Sequence, residues 1–126
     1  METDRKTRVL VCDDNEDILE LVTYLLEGEG FSVGPCSTGD RLLEEARSAN
    51  PDLILLDLRL PGRDGIAVLE ELGRLMTPAP PVIILSAQGG ESERDRALRA
   101  GAAAFLGKPF SVDGLLYLVR RILKEG

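Results

Sequence analysis

The sequence predicts an α/β fold in which a parallel sheet is covered by helices on both faces. Two observations carry this. Five short β-type runs alternate with five segments of helical period, which is the pattern of successive βαβ units. The clearest runs, LILL and VIIL, are continuously apolar rather than alternating, as strands are when both of their faces are buried. At 126 residues the chain suits one compact domain with one core. Residues 1–126 are therefore read as a single domain, with 1–7 as a flexible leading segment.

The strands are placed at Arg8 to Cys12, Phe31 to Cys36, Leu53 to Asp57, Val82 to Ser86 and Ala103 to Leu106. The first helix runs from about Asn15 to Glu29, with Ile18, Leu21, Val22, Leu25 and Leu26 on one face, and Gly28 and Gly30 stop it. The second starts after Ser37 or Thr38, either of which can cap its first turn, turns Leu42, Leu43 and Ala46 inward, and ends at Asn50 and Pro51. The third follows the PGRDG turn and carries Ile66, Val68, Leu69 and Leu72. Pro78, Pro80 and Pro81 then force a loop before the fourth strand. The fourth helix, Glu91 to Ala100, has only Ala97, Leu98 and Ala100 as apolar residues, so little area anchors it and it is free to shift. Gly101 closes it in a left-handed conformation. The last helix, Val112 to Leu123, is expected to bury Leu115, Leu116, Val119, Ile122 and Leu123.

Composition narrows the function. With 22 acidic residues against 15 basic and a net charge of −7, the field of the domain repels nucleic-acid phosphates and anionic lipid. No direct nucleic-acid binding by this domain and no membrane association are expected. The apolar runs fall far short of the ~20 residues that cross a bilayer, and METDRKTR lacks the apolar stretch of a secretion signal, so a cytoplasmic location is expected. Cys12 and Cys36 lie in apolar strand-like runs. They are read as small core residues rather than redox sensors, because neither has a cationic neighbour in sequence.

Parallel strands joined by right-handed crossovers bring their carboxyl ends to one edge, where ligands of open α/β sheets bind. Asp13 and Asp14 follow VLVC, Asp57 follows LILL, Ser86 follows VIIL and Lys108 follows AAFLG. Each alone has a plainer explanation: a solvated turn for the Asp pair, a surface lysine, a turn hydroxyl. Together they place three carboxylates, a hydroxyl and an ammonium group on one rim. Carboxylates so close repel one another, and a hard divalent ion relieves this. Mg²⁺, with Mn²⁺ as a substitute, suits a site offering few protein oxygens. Asp57 is then free as a nucleophile toward phosphorus, with Lys108 offsetting charge on the transferring group and Ser86 donating to a phosphoryl oxygen.

At this point the residues resemble the receiver domain of two-component response regulators. VLVCDDN, LILLDLRLPGRDG, VIILSAQ and GAAAFLGKPF occur in that family's order and spacing over nearly the whole chain. The resemblance implies a flavodoxin-like (βα)5 three-layer sandwich with strand order 2-1-3-4-5. It implies that Asp57 is the phosphoacceptor, that Asp13, Asp14, Asp57 and the backbone carbonyl of Arg59 hold the metal, and that Lys108 pairs with the acidic group. It further implies a cis Lys108–Pro109 bond and a switch that couples Ser86 to Phe105. The phosphodonor would be a sensor histidine kinase or histidine phosphotransfer protein, docking on the first helix and the loop around Pro109 and Phe110. Output would use the fourth helix, fifth strand and fifth helix, which could also support a homodimer. Such a protein is no enzyme beyond its own phosphorylation and dephosphorylation.

This sequence departs from the family pattern at Ala103 and Ala104, where an acidic pair is usual, and at Arg59 and Gln88, large polar residues beside the phosphoryl position that tune water access. Gly89 and Gly90 make the loop after the fourth strand permissive. Two other readings stay open. One is a pseudo-receiver that binds partners without phosphorylation. The other is a phosphotransferase using an aspartyl phosphate on a separate substrate, against which stand the lack of a cap domain and the short chain. The ending after the last helix fits either a stand-alone regulator or a receiver followed by an output domain.

Overall fold

A computed structural model describes residues 6–87 and 90–125; the leading segment 1–5, Gln88 and Gly89 lie outside the described residues. The elements in chain order are β1 (Arg8–Cys12), α1 (Glu16–Gly28), β2 (Ser32–Cys36), α2 (Gly39–Ala49), β3 (Leu53–Asp57), β4 (Arg59–Leu60), β5 (Arg63–Asp64), α3 (Gly65–Leu75), β6 (Val82–Ser86), α4 (Glu91–Arg99), β7 (Ala104–Gly107) and α5 (Val112–Glu125). The main sheet is parallel in the order β2-β1-β3-β6-β7. With the β4–β5 hairpin set aside, this is the expected order 2-1-3-4-5 of a flavodoxin-like (βα)5 sandwich.

The three layers follow from the two-residue repeat of the strands. Leu10, Cys12, Ile54, Leu56, Val82 and Ile84 project to one face, where they pack with Leu42 and Ala46 of α2, Val68 and Leu72 of α3, and Ala97 of α4. Val9, Val11, Leu53, Leu55, Ile83 and Leu85 project to the other, against Val22 and Leu26 of α1 and Leu115, Val119 and Ile122 of α5. Every residue of β3 and β6 is buried, so the central strands are fixed from both sides. Each such Leu or Ile contributes roughly 1.5–3 kcal/mol relative to exposure.

The helix ends have local causes. Asn15 caps α1 by accepting from the amides of Asp17 and Ile18, Thr38 caps α2 through Arg41 N, and Asp64 caps α3 through Ile66 N. Asn50 ends α2 in the left-handed region at φ 50°. Gly101, at φ 113°, closes α4, with the Ala102 amide donating to the Ala97 carbonyl. The N-cap of α4 is Gly90, which has no side chain to offer, and Ala97 is its single buried residue. That bears out the weak anchoring read from its composition. The Lys108–Pro109 bond is cis, as is Thr77–Pro78, which the sequence did not signal.

Several expectations need correction. Leu21 is 44% exposed, because the sheet-facing stripe of α1 is centred on Val22 and Leu26. Leu116 and Leu123 are only half-buried, at the margin of the face that Leu115, Val119 and Ile122 seal. Phe31 precedes β2 and packs beside α1, its amide bonded to the Leu26 carbonyl. The last strand runs one residue later than expected, to Gly107. The segment expected as a PGRDG turn forms the hairpin β4–β5. Its strands pair Arg59 with Asp64 and Leu60 with Arg63, and Gly62 at φ 78° supplies the left-handed turn that other residues resist.

At the edge strand β2, Pro35 lies opposite Val11. The Ser32 amide donates to Thr7 and the Cys36 carbonyl accepts from Asp13, so alternate residues of β2 face β1 and Pro35 faces outward.

Candidate functional site

The sheet positions the site through its register. Cys12 lies opposite Leu56, Asp57 opposite Leu85, and Ser86 opposite Gly107, so Asp13, Asp57, Ser86 and Lys108 emerge in neighbouring positions at one edge. Asp13, Asp57 and Ser86 are all buried, whereas Asp14 is exposed. One carboxylate oxygen from each of Asp13, Asp14 and Asp57 lies within 4.8 Å of the others. Lys108 reaches in from beyond β7, with Nζ 2.7 Å from Asp13 Oδ2 and 3.6 Å from Asp57 Oδ2. Its backbone amide donates to the Ser86 carbonyl at 2.7 Å, which ties the lysine loop to the end of β6.

The two buried carboxylates are held by the chain around them. Asp13 Oδ1 accepts the Asn15 amide at 2.9 Å, so the residue that caps α1 also fixes Asp13. Asp57 Oδ1 accepts the Arg59 amide at 3.3 Å. Gly65, the first residue of α3, sits against this segment. Its amide donates to the Leu58 carbonyl, and a Cβ there would lie 2.7 Å from Leu58 Cα, 2.8 Å from Leu58 O and 3.0 Å from Asp57 O. A side chain cannot occupy that space unless the backbone gives way.

Burial pushes the Asp57 carboxyl above its ordinary range, with the charge of Asp13 adding to the effect; Lys108 and the Arg59 amide oppose it. Three carboxylates against one ammonium group leave negative charge in excess. The donors are hard oxygens, two of them buried, and their spacing fits a small divalent cation. Ser86 ends β6 beside this cluster. Phe105, in β7 opposite Ile84, is half-buried against the core beneath α4. Arg59 is exposed and approaches Asp57 through its amide; Gln88 lies outside the described residues.

Two features escaped the sequence. Arg63, in the hairpin, donates to Asp40 of α2 at 2.7 Å and to Glu71 of α3, so it staples the segment after Asp57 to two helices. These ion pairs push its guanidinium pKa up. Cys36 does have a cationic neighbour, Arg41, which the turn into α2 brings near it. Its thiol pKa is lowered mainly by a hydrogen bond from Cys12, with Arg41 assisting against burial and Glu45. The Cys12 thiol is pushed far up by that bond, by burial and by nearby carboxylates. Its single proton has two acceptors, the Cys36 sulfur and the Thr38 carbonyl at 3.3 Å, and either keeps it on Cys12.

An open parallel α/β sheet with buried carboxylates and a lysine at its carboxyl edge defines a narrow class of protein. The description "Response regulator receiver domain" matches residues 9–120. The chain is 42% identical over 119 residues to the KDP operon transcriptional regulatory protein KdpE of Escherichia coli, covering 94% of this chain and 52% of KdpE. It is 36% identical over 125 residues to the transcriptional regulatory protein ResD of Bacillus subtilis, covering 99% and 51% respectively. Among solved structures, the Francisella response regulator 1452 receiver domain matches with a TM-score of 0.89 at 32% identity, covering 94% of this chain and 98% of that one. The receiver domain of NtrX from Brucella abortus matches with a TM-score of 0.87 at 33% identity, covering 94% and 99%. The chain belongs to the response regulator receiver domain family of two-component systems, in which phosphorylation-based switching is general. It spans about half the length of these curated relatives.

Proposed function

We propose that the chain is a single receiver domain and a phosphorylation-activated switch, with Asp57 as phosphoacceptor. The observation that carries this is the cluster of Asp13, Asp14 and Asp57 with Lys108 bridging two of them. A phosphorylated histidine of a sensor kinase or phosphotransfer protein supplies the phosphoryl group. An Asp57 carboxylate oxygen attacks phosphorus, an O–P bond forms, and the P–N bond breaks as the imidazole nitrogen leaves with its electron pair. Asp13, Asp14, Asp57 and the Arg59 carbonyl hold Mg²⁺, which supplies positive charge for phosphoryl oxygens when bound. Lys108 adds a second cation, and the Ser86 hydroxyl donates to a phosphoryl oxygen.

The response is a population shift in the α4–β7–α5 face. Ser86 turns toward the new phosphoryl oxygens and Phe105, half-buried, moves into the space vacated. The weak anchoring of α4, whose single buried residue is Ala97, supports a face that can move. The altered face then controls a partner, a second copy of the domain, or an output domain; the names of KdpE and ResD favour output to transcription. Catalysis is confined to the domain's own phosphorylation and dephosphorylation, and a cytoplasmic setting suits both. Among the described residues no helix is long and apolar enough to cross a membrane.

Intact mass after incubation with acetyl phosphate and Mg²⁺ tests this. One phosphoryl adduct is expected, lost without metal and in Asp57→Ala. No adduct with any divalent metal would replace the switch with a phosphorylation-independent binding module.

A further inference from the structure

The chain contains two cysteines, and the sheet places them side by side. Cys12 and Cys36 are the last residues of β1 and β2 and are paired in register. In-register residues of parallel strands share a face, and both thiols join the core cluster beneath α2. Neighbouring strands lie ~4.8 Å apart, inside the roughly 4.4–6.8 Å between Cα atoms that a disulfide spans. Cys12 is fully buried, while Cys36, on the edge strand, keeps 6% of its surface. Nothing in the proposed phosphoryl chemistry uses either thiol.

We propose that Cys12 and Cys36 form a reversible dithiol–disulfide couple that sets the rate at which the neighbouring pocket accepts phosphate. The second half of this inference rests on the function proposed above.

The oxidant is hydrogen peroxide. The Cys36 thiolate attacks one peroxide oxygen, an S–O bond forms, the O–O bond breaks, and hydroxide leaves. The Cys12 sulfur then attacks the Cys36 sulfur. An S–S bond forms, the S–O bond breaks, and the Cys12 proton departs with hydroxide as water. Two thiols have lost two hydrogens and one peroxide has become two waters. A small dithiol reverses the change by exchange.

The link to the pocket is one residue long. Cys12 precedes Asp13, and the Asp13 amide donates to the Cys36 carbonyl at 3.1 Å. Disulfides hold their Cβ atoms near ~3.8 Å, closer than the strand spacing, so closing the bridge draws the ends of β1 and β2 together beside Asp13. The Cys12 thiol also gives up its bond to Thr38, the cap of α2. Asp13 is the nearer carboxylate partner of Lys108, so its displacement disturbs both the metal site and the lysine.

The experiment exposes native protein to hydrogen peroxide, blocks remaining thiols with N-ethylmaleimide under denaturing conditions, and measures intact mass. The expected product is about 2 Da lighter than the dithiol, carries no maleimide, and is restored by dithiothreitol. Cys12→Ser should instead leave a Cys36 sulfenic acid that dimedone traps. Oxidised protein should take phosphate from acetyl phosphate severalfold more slowly than reduced protein, and peroxide-treated Cys12→Ser should not show the bridge-dependent slowing. Two maleimides on the peroxide-treated protein, or bridging only after unfolding, would overturn the couple. A bridge that leaves the rate unchanged would overturn its regulatory role. If reduced protein takes no phosphate, the phosphoacceptor reading fails, and the mass measurement still decides the couple.

Discussion

Lys108 gives its ammonium group first to Asp13, at 2.7 Å, and only second to Asp57, at 3.6 Å. A cation binding among the carboxylates therefore has to share Asp13 with the lysine, while Asp57 keeps the looser contact that suits the nucleophilic role proposed for it. Lys108→Met should strand a fully buried carboxylate. Breaking a buried pair on one side costs roughly 3–5 kcal/mol, and the partial solvent contact of Lys108, whose side chain is 15% exposed, places the expected loss toward the lower end. Urea unfolding with and without saturating Mg²⁺ checks this. The loss should shrink with the metal, and an equal loss in both buffers would show that the lysine matters for packing alone.

Asp57 carries a pH signature with a definite sign. Its folded pKa is raised above the ordinary 3.8, chiefly by burial and then by Asp13, so the folded state binds this proton more tightly than the unfolded one. Stability from this group is present at low pH and is lost as pH rises from the ordinary value through the raised folded value. Asp57→Asn removes the penalty of the ionised form. In metal-free buffer the variant should melt above the parent at neutral pH, and the gap should close as pH falls below the ordinary aspartate range. A gap independent of pH would refute the assignment.

Two glycines of α3 should respond in opposite directions to alanine. Gly65→Ala forces a Cβ against the Leu58 and Asp57 backbone, and overpacking of this kind costs about 1–3 kcal/mol. The same shift should slow phosphorylation. Gly73 has no heavy atom near its would-be Cβ and lies inside the helix, where alanine gains roughly 0.5–1 kcal/mol. Denaturant midpoints and acetyl phosphate rates for the two variants separate local crowding at the site from general helix effects.

Arg63→Ala should weaken the site more than the fold. Its contacts to Asp40 and Glu71 lie near the surface, where ion pairs contribute little to stability, so the melting temperature should fall only slightly. The hairpin it staples contains Arg59, and Mg²⁺ affinity should drop with it. Titration calorimetry against Mg²⁺, with Arg63→Lys as the variant that restores charge without the forked geometry, tests the point. Unchanged affinity in both variants would assign Arg63 to the surface alone.

Much of this was legible in the sequence because buried parallel strands announce themselves. LILL and VIIL set β3 and β6 to the residue, and the polar residue after each strand marks the pocket. The β4–β5 hairpin was not legible, since strands of two residues leave no periodicity to read. Leu21 misled because α1 meets the sheet along a narrower stripe than its apolar residues span. Arg41 could not be placed near Cys36 from spacing, because the chain turns from strand to helix between them. The preference of Lys108 for Asp13 over Asp57 depends on about an ångström of side-chain geometry, which no pattern of residue types encodes.

Pro35, on the edge strand β2, bears on assembly. The β2 strand offers its outer margin to solvent, and a second chain could extend the sheet there through backbone hydrogen bonds. Proline has no amide hydrogen to donate, and its outward position removes one of the few donors that such an added strand would need. Growth into fibres or strand-swapped pairs is thereby discouraged along this border.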